Sequence, residues 1–136
     1  MPVSRPARHI TPMERNTRQR DAIRHVFEST PRPLGPGEVL DAAQRRVSGL
    51  GMATVYRTIN ALLEAEWLVA VELPGEAPRY ERAGAGHHHH FRCSACARVF
   101  EIPGCPGDLR ELTPPGFELE RHDVTLYGRC ARCVAA

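Results

Sequence analysis

The chain contains 136 residues, of which 42% are hydrophobic and 25% are charged, so its length fits one domain or two small ones. It holds no apolar run long enough to cross a membrane, which argues against an integral membrane protein. Its net charge of +2 is unevenly divided: residues 1–60 hold ten arginines and five acidic residues, whereas residues 61–136 hold eight arginines and eleven acidic residues. A basic front half and an acidic rear half predict a nucleic-acid-binding domain joined to a second domain.

The N-terminal third predicts a basic arm followed by two helices. Three prolines and several basic residues in segment 1–12 indicate a flexible arm, although a helix could begin near Met13. Thr17 is a suitable N-cap for a helix through Ser29, whose apolar residues are spaced to form one buried face. After a segment rich in proline and glycine, residues 38–47 predict a second helix.

Residues 53–66 predict a third helix with two distinct faces. Val55, Ile59 and Leu62 recur at helical spacing and form a buried stripe. Arginine and asparagine on an exposed helix can bind base edges in the major groove, but many surface helices carry the same residues. The polar side chains that lie off the stripe, and that could read DNA, are those of Thr54, Tyr56, Arg57 and Asn60.

A β-hairpin is predicted directly after this helix. Residues 67–73 form an apolar run, residues 74–78 contain the prolines and glycine of a turn, and residues 79–81 resume an extended pattern. Three helices followed by a hairpin are the order of a winged helix-turn-helix domain, which we assign to residues 1–82. Residues 83–86 alternate alanine and glycine and predict a hinge.

The C-terminal part, residues 87–136, is predicted to be a small α/β domain. Alternating patterns indicate strands at 98–102, 117–120 and 122–127, with a short helix near 108–112. The sheet could pair with that of a second chain across a dimer axis. Because each domain is near the size at which a single core is marginal, metal binding and oligomerisation are expected to support the fold.

Two Cys-x-x-Cys pairs predict a structural zinc site. Cys93 and Cys96 form the first pair, Cys130 and Cys133 form the second, and 33 residues separate the pairs. Four thiolates at this spacing can close around one tetrahedral zinc ion. Disulfides are the alternative, but the paired spacing and the lack of a visible signal peptide favour metal and a reducing cytoplasm. We therefore expect an α+β protein in which a winged helix precedes an α/β domain with a four-cysteine zinc site.

Four consecutive histidines lead into the first cysteine pair. In an extended segment successive side chains point to opposite faces, so His88 and His90 share one face and His87 and His89 share the other. The block is internal, where an affinity tag is not expected, and imidazole is a frequent metal ligand. A short strand could thus offer two pairs of imidazoles to two metal sites, with a solvated polar strand as the alternative.

Together these motifs resemble the ferric uptake regulator family of bacterial metalloregulators. The resemblance implies a homodimer whose winged helices bind an inverted-repeat operator on double-stranded DNA when metal is bound, repressing genes of metal uptake or homeostasis. It covers nearly the whole chain from about Thr11 onward. The segments that carry it are residues 17–20, Gly51 to Asn60, Tyr80-Glu81, His87 to Cys96 and His122 to Cys133.

The resemblance also implies roles in DNA binding and in structural zinc binding. Tyr56 and Arg57 would lie on the DNA-reading helix, and Arg20 would lie at the DNA-facing start of an earlier helix. The structural zinc ion would be held by the four cysteines of the two pairs. No small-molecule substrate beyond metal ions is implied.

A sensory metal, zinc or ferrous iron with manganese possible, would be held near the hinge by Glu81, His88 and His90, with Glu101 a further candidate. Because Glu81 ends the hairpin and the histidines begin the other domain, such an ion can favour one inter-domain geometry. The resemblance implies a further site in the dimerisation domain. Its ligands would be His87, His89 and His122.

The sequence departs from the family pattern at three places. A histidine that family members often have before the second helix is replaced by the run Pro33-Leu34-Gly35, and no cysteine lies near the hinge. The carboxylate expected beside His87, His89 and His122 is not clear, with Asp108 and Glu111 as candidates. Cys105 lies outside both pairs, and we expect it to be a buried small apolar residue, with metal ligation as the alternative.

Three other functions are alternatives to a metal-dependent repressor. A peroxide sensor of the same family would oxidise a ligand histidine through iron. A zinc enzyme would need an activated water and a general base, but the four thiolates close their site and no His-Glu-x-x-His helix is present. A zinc-ribbon interaction module would leave the winged helix unexplained. We therefore predict a regulator and not an enzyme.

Overall fold

A computed structural model describes residues 8–136, and residues 1–7 of the predicted arm lie outside this range. The first helix, α1, spans Pro12–Ser29 and is capped by Thr11. The Thr11 hydroxyl accepts a hydrogen bond from the Glu14 amide at 3.2 Å, and the Glu14 carboxylate accepts one from the Thr11 amide at 3.0 Å. The prediction of Thr17 as the N-cap was wrong, because this capping box and a proline in the first turn start the helix earlier.

The N-terminal unit continues with α2 (Pro36–Gln44), α3 (Met52–Glu64) and an antiparallel hairpin of β1 (Leu68–Val71) and β2 (Arg79–Arg82). The order of elements is as predicted, with α2 and α3 each beginning and ending one to three residues earlier than expected. The three helices and β1 enclose one apolar core. Its most buried side chains include those of Ile23, Val39, Val55, Ile59 and Leu68.

The C-terminal unit is a three-stranded sheet. Strand β3 (His89–Cys93) is central, pairing antiparallel with β4 (Val99–Ile102) and parallel with β5 (Thr125–Gly128). A single 3-10 turn at Arg110–Leu112 replaces the predicted helix, and a short helix, α4 (Ala131–Ala135), follows the last strand.

The strand predicted at 117–120 is absent from this sheet, which corrects that expectation. The side chain of Phe117 is 71% exposed and that of Leu119 is 38% exposed. Their alternation with acidic residues is a strand pattern, but no neighbouring strand among residues 8–136 supplies backbone partners for it. The segment therefore presents apolar groups outside the sheet.

Direct contacts join the hairpin to the C-terminal sheet. The Arg92 guanidinium on β3 bonds Glu76 in the hairpin turn at 3.0 Å, and Arg79 on β2 donates to the Ala97 carbonyl at 2.9 Å. Val71, Leu73 and Val99 form a small buried apolar cluster beside these bonds. These contacts hold the hairpin turn beside the turn that carries Cys93 and Cys96. None of the helices within residues 8–136 has the length and apolar character needed to cross a membrane.

Candidate metal centres and nucleic-acid interface

Metal-ligating side chains gather in three clusters within residues 8–136, each with its ligand atoms within 4.8 Å of one another. We call them the cysteine cluster, the hinge cluster and the outer cluster. Residues 87–93, which include β3, contribute to all three clusters, because side chains 87–90 alternate between two faces and the strand ends at Cys93. In the order just named, the members of the clusters are Cys93, Cys96, Cys130 and Cys133; Glu81, His88 and His90; and His87, His89, Cys105 and His122.

The cysteine cluster fits a tetrahedral ion. The sulfur atoms of Cys96 and Cys130 lie 3.9 Å apart. Thiolates bound about 2.3 Å from zinc lie roughly 3.8 Å apart at the corners of a tetrahedron. The buried Cys93 sulfur also accepts hydrogen bonds from the amides of Cys130 at 3.3 Å and Cys96 at 3.5 Å. Such amides orient a metal-bound thiolate and stabilise its charge.

The shifted pKa values of the cysteine cluster favour a bound cation. The amides of Cys130 and Cys96 lower the pKa of the Cys93 thiol to about 6. The adjacent Cys130 side chain, followed by burial, raises the pKa of Cys133 to about 12. One thiol therefore ionises readily, whereas Cys133 stays protonated because its hydrogen bond to Cys130, burial and its hydrogen bonds to the other two sulfurs all favour the neutral thiol. A divalent ion overcomes this preference and lets all four bind as thiolates, so the donor set fits zinc.

The hinge cluster joins the hairpin to the C-terminal unit. Glu81, which is 5% exposed, lies on β2, and its Oε1 atom is 2.8 Å from His88 Nε2 and 3.3 Å from His90 Nε2. Glu101 on β4 extends the cluster, with Oε1 3.6 Å from His88 Nε2. Between β2 and His88 the chain turns through Gly84 and Gly86, at φ values of 90° and 71° that a residue with a Cβ adopts only with strain. These turns bring Glu81 and His88 together.

Burial and hydrogen bonds between neighbouring side chains shift the pKa values of the hinge cluster. Burial disfavours the charged carboxylate of Glu81, but hydrogen bonds from His90 and His88 outweigh it, so the pKa of Glu81 is lowered. For Glu101, burial and then the nearby Glu81 carboxyl raise the pKa. Burial works against protonation of His88, yet its hydrogen bonds to the Gly86 carbonyl and to Glu81 outweigh burial and raise its pKa.

The tautomer of His88 suits a metal ligand. Its Nδ1 lies 2.8 Å from the Gly86 carbonyl oxygen, which can only accept, so Nδ1 carries a proton. Nε2 then faces Glu81 and loses its proton when a metal binds. Two imidazoles and one or two carboxylates suit zinc, ferrous iron or manganese. The residues of the hinge cluster therefore fit a divalent ion.

The raised pKa of His88 predicts that acid weakens metal binding at the hinge cluster. A metal must displace the Nε2 proton of His88. As the pH is lowered, zinc affinity should therefore begin to fall while the pH is still above 6.5, the ordinary histidine pKa, and should then decrease by about tenfold per pH unit. Protonation of Glu81, whose pKa is lowered, should weaken zinc binding further only at much lower pH. A competition titration with a chromophoric zinc chelator from about pH 8 to pH 6 measures this slope, and an affinity that stays constant over the range would contradict it.

The outer cluster corrects the expectation for Cys105. Cys105 is exposed rather than buried, and its sulfur lies 3.2 Å from His122 Nε2 and 3.4 Å from His89 Nε2. The position where a carboxylate was expected is therefore occupied by a thiol. Asp108 instead forms an ion pair with Arg110 at 2.7 Å, and Glu111 is exposed outside the cluster. The glycines and prolines around Cys105 are turn signals, but they do not indicate which residues its side chain contacts.

The segment Pro33-Leu34-Gly35, where family members often have a histidine ligand, instead makes a backbone contact with β2. The Leu34 amide donates to the Tyr80 carbonyl at 2.8 Å, and the Tyr80 amide donates to the Leu34 carbonyl at 2.9 Å. Pro33 itself is fully buried. The segment before α2 is thus bound to β2 at the residue immediately before Glu81.

The N-terminal half of α3 presents a polar surface. Tyr56, Arg57 and Asn60 are exposed, and Thr54 is partly exposed and accepts a hydrogen bond from the Arg57 guanidinium at 3.0 Å. Arg20 on α1 lies across a shallow groove from this face. The residues lining the groove are Asn16, Arg20, Thr54, Arg57, Thr58 and Ala61. Asn16 was not predicted as a site residue. It lies one helical turn before Arg20, and this spacing is the sequence signal that could have indicated it.

The protein-family model described as the ferric uptake regulator family matches residues 13–127 of the chain. The chain belongs to the ferric uptake regulator family. Over 124 residues it is 32% identical to the ferric uptake regulation protein of Bacillus subtilis (strain 168), covering 86% of this chain and 83% of that protein. Because members of this family are transcriptional regulators, the prediction that the chain is not an enzyme is confirmed.

Not every alignment with a ferric uptake relative is full length. The chain is 34% identical over 89 residues to the ferric uptake regulation protein of Campylobacter upsaliensis, and that alignment covers 63% of this chain and 57% of the relative. Among solved structures it resembles the ferric uptake regulator from Francisella tularensis with iron, at a TM-score of 0.66 and 25% identity. That superposition covers 98% of this chain and 99% of the other, so both units of the fold are shared.

Proposed function

We propose that the chain is a metal-responsive transcriptional repressor of metal-uptake or homeostasis genes. It binds an inverted-repeat operator as a homodimer when zinc or ferrous iron occupies the hinge cluster, and it acts in the cytoplasm. The observation that carries this proposal is the hinge cluster itself, in which Glu81 of the hairpin meets His88 and His90 of the other unit. A second zinc ion in the cysteine cluster is structural.

A metal at the hinge cluster stabilises one relation between the two units. An ion held by all three side chains cannot keep its ligands if the hairpin swings away from β3. Metal binding therefore favours the joined arrangement by the difference in its affinity for the joined and separated states. Without metal, hydrogen bonds from His88 and His90 to Glu81 join the two units at this point, a weaker restraint than a shared metal ion.

The Leu34–Tyr80 bridge extends this restraint to the helices. It ties the segment before α2 to β2 one residue from Glu81. A movement of Glu81 toward the histidines therefore shifts the hairpin together with the start of α2. This backbone connection takes the place of a ligand from the Pro33 segment in coupling metal binding to the DNA-facing helices.

The α3 surface supports DNA binding. Arg57 and Arg20 lie on opposite sides of one groove, so a phosphate or a guanine edge could be bound between them. Tyr56, 48% exposed, and Asn60 extend the same helix face. Such a face suits the major groove, with the hairpin against the adjacent backbone.

The exposed apolar side chains of the C-terminal unit support a homodimer. Strand β5 is an edge strand that presents Leu126 and Tyr127, both at least half exposed. An unpaired edge beside apolar surface is a natural template for pairing with a second copy. Other exposed apolar side chains of the C-terminal unit are those of Leu112, Phe117, Leu119 and Val134.

Replacing His88 with alanine tests the proposal. The variant should lose at least about tenfold in affinity for the sensory metal, because a ligand and its Nδ1 bond to Gly86 are both removed. Metal-dependent DNA binding should be lost, while the structural zinc and the dimer remain. The measurements are a metal titration and a fluorescence anisotropy titration with an operator selected from random duplexes.

The matched control is His25→Ala, because His25 is an exposed imidazole on α1 and lies outside all three clusters. It should behave as the wild type in both titrations. If His88→Ala still required metal for DNA binding, with unchanged metal affinity, the hinge cluster would not be the sensory site.

A further inference from the structure

Glu76, in the hairpin turn, bonds an arginine from each unit. Its Oε1 atom accepts hydrogen bonds from Arg92 on β3, at 3.2 Å from Nε and 3.0 Å from Nη2, and from Arg79 on β2, at 3.3 Å from Nη2. We call these bonds the Glu76 salt bridges. The bond from Arg92, and then that from Arg79, lowers the pKa of Glu76 against the opposing effect of burial, so the carboxylate is charged at neutral pH.

Both arginines depend on Glu76 for a counter-charge. Arg79 Nη2 also donates to the Ala97 carbonyl, and Arg79 Nη1 is buried without a hydrogen-bond partner among residues 8–136. Arg92 Nη1 donates to the Cys93 carbonyl at 2.9 Å, but a carbonyl carries only a partial charge. Without the carboxylate, two partly buried cations would face each other where the units meet. Loss of Glu76 would therefore favour the separated state, in which water solvates both guanidinium groups.

Other contacts between the two units lie beside the Glu76 salt bridges and need no metal. Val71 and Leu73 of the hairpin pack with Val99 of β4 in a buried apolar cluster. The Arg32 guanidinium, in the segment before α2, lies 5.9 Å from the centre of the Phe100 ring on β4, within the range of a cation–π contact. The joined arrangement is thus stabilised at several points outside the hinge cluster.

We propose that the Glu76 salt bridges set the metal concentration at which the hinge cluster fills, by holding a large share of metal-free molecules in the joined arrangement. Glu81 shares an ion with His88 and His90 only when the units are joined. The apparent dissociation constant of such a site is its intrinsic value divided by the fraction of molecules that are competent to bind. A larger joined fraction therefore gives tighter apparent binding. The proposal rests on the hinge cluster being the sensory site of the proposed function, but not on DNA binding.

Glu76→Ala tests this regulation in the full chain, with the zinc of the cysteine cluster retained. Without labile metal, small-angle X-ray scattering should give the variant a larger radius of gyration than the wild type, because its two arginines oppose joining. Manganese(II) is the metal probe, since imidazole and carboxylate ligands accept it whereas a thiol such as that of the outer cluster disfavours it. Its apparent affinity, measured from the electron paramagnetic resonance of the free ion, should fall by about two- to tenfold, and saturating manganese should restore the wild-type radius.

Two further variants identify the bond responsible. Arg92→Leu leaves Glu76 in place but removes the bond between the units, so it should show the same two changes. The double variant should lose no more affinity than Glu76→Ala alone, because both substitutions remove one shared interaction. Glu28→Ala is the matched control: Glu28 is an exposed carboxylate on α1, and its loss should leave the radius and the manganese affinity unchanged.

A Glu76→Ala protein with the wild-type radius and the wild-type manganese affinity would overturn the proposal. Glu76→Gln keeps the shape of the side chain and removes only its charge, so it gives the same test if alanine disturbs the hairpin turn. A wild type that binds neither manganese, zinc nor ferrous iron at the hinge cluster would instead contradict the proposed function. The radius of the metal-free variants would then still decide whether Glu76 holds the units together.

Discussion

Replacing Arg57 with alanine should weaken binding to a selected operator by about 1–3 kcal/mol, the usual effect of removing one base-reading arginine. Arg57 projects from the exposed face of α3, and its bond to Thr54 holds the guanidinium over the groove shared with Arg20. The side chain contributes nothing to the core, so metal content, dimer formation and thermal stability should be unchanged. Fluorescence anisotropy at several salt concentrations, with a scrambled duplex as competitor, measures the loss.

Arg121→Ala is the matched control, because it removes the same charge from an 88% exposed side chain in the C-terminal unit. It should alter operator affinity by a few tenths of a kcal/mol at most. Selected and scrambled duplexes also separate two roles of Arg57: equal loss on both indicates a phosphate contact, whereas loss on the selected operator alone indicates base reading. Unchanged affinity for both would show that α3 is not the recognition helix.

Replacing Cys93 with serine should unfold the C-terminal unit. Cys93 is fully buried, and its sulfur accepts hydrogen bonds from two backbone amides. It is therefore a metal ligand and also connects the two Cys-x-x-Cys turns. Zinc binding to four thiolates contributes free energy on the order of 10 kcal/mol to the folding of small zinc domains, and a hydroxyl is a poor substitute ligand. Zinc content should fall from one ion per protomer to nearly none, and the cooperative melt of this unit by circular dichroism should disappear.

Cys105→Ser is the control, because it makes the same substitution at an exposed cysteine outside the cysteine cluster. It should keep the structural zinc and a cooperative melt. A Cys93→Ser protein that bound zinc and melted like the wild type would mean that the cysteine cluster is not needed for folding.

Periodicity and ligand spacing predicted much of the fold. The stripe of Val55, Ile59 and Leu62 is buried on α3, and the alternation of the histidine block puts His88 and His90 beside Glu81 on one face. These features depend on residues close in sequence, where helical or extended geometry decides which side chains share a face. Local pattern was therefore sufficient for them.

The N-terminal start of α1 was missed although its signal is local, because the capping box of Thr11 and Glu14 lies within a proline-rich segment. Features that depend on distant partners could not be predicted. The strand expected at 117–120 has the right alternation, but pairing requires a neighbour that no local pattern specifies. The position of Cys105 depends on how the loop after β4 folds back to His122, a contact across 17 residues. The Leu34–Tyr80 bridge is likewise a backbone contact without a side-chain signature.

The most direct measurement combines metal content with DNA binding. Untagged protein is stripped of labile metal, its zinc per protomer is counted, and an operator titration is repeated after resupplying zinc, ferrous iron or manganese. We expect one zinc ion to resist stripping, and operator binding to be restored by one added metal and lost in His88→Ala. Operator binding that is the same with and without every added metal would contradict a sensory role for Glu81, His88 and His90.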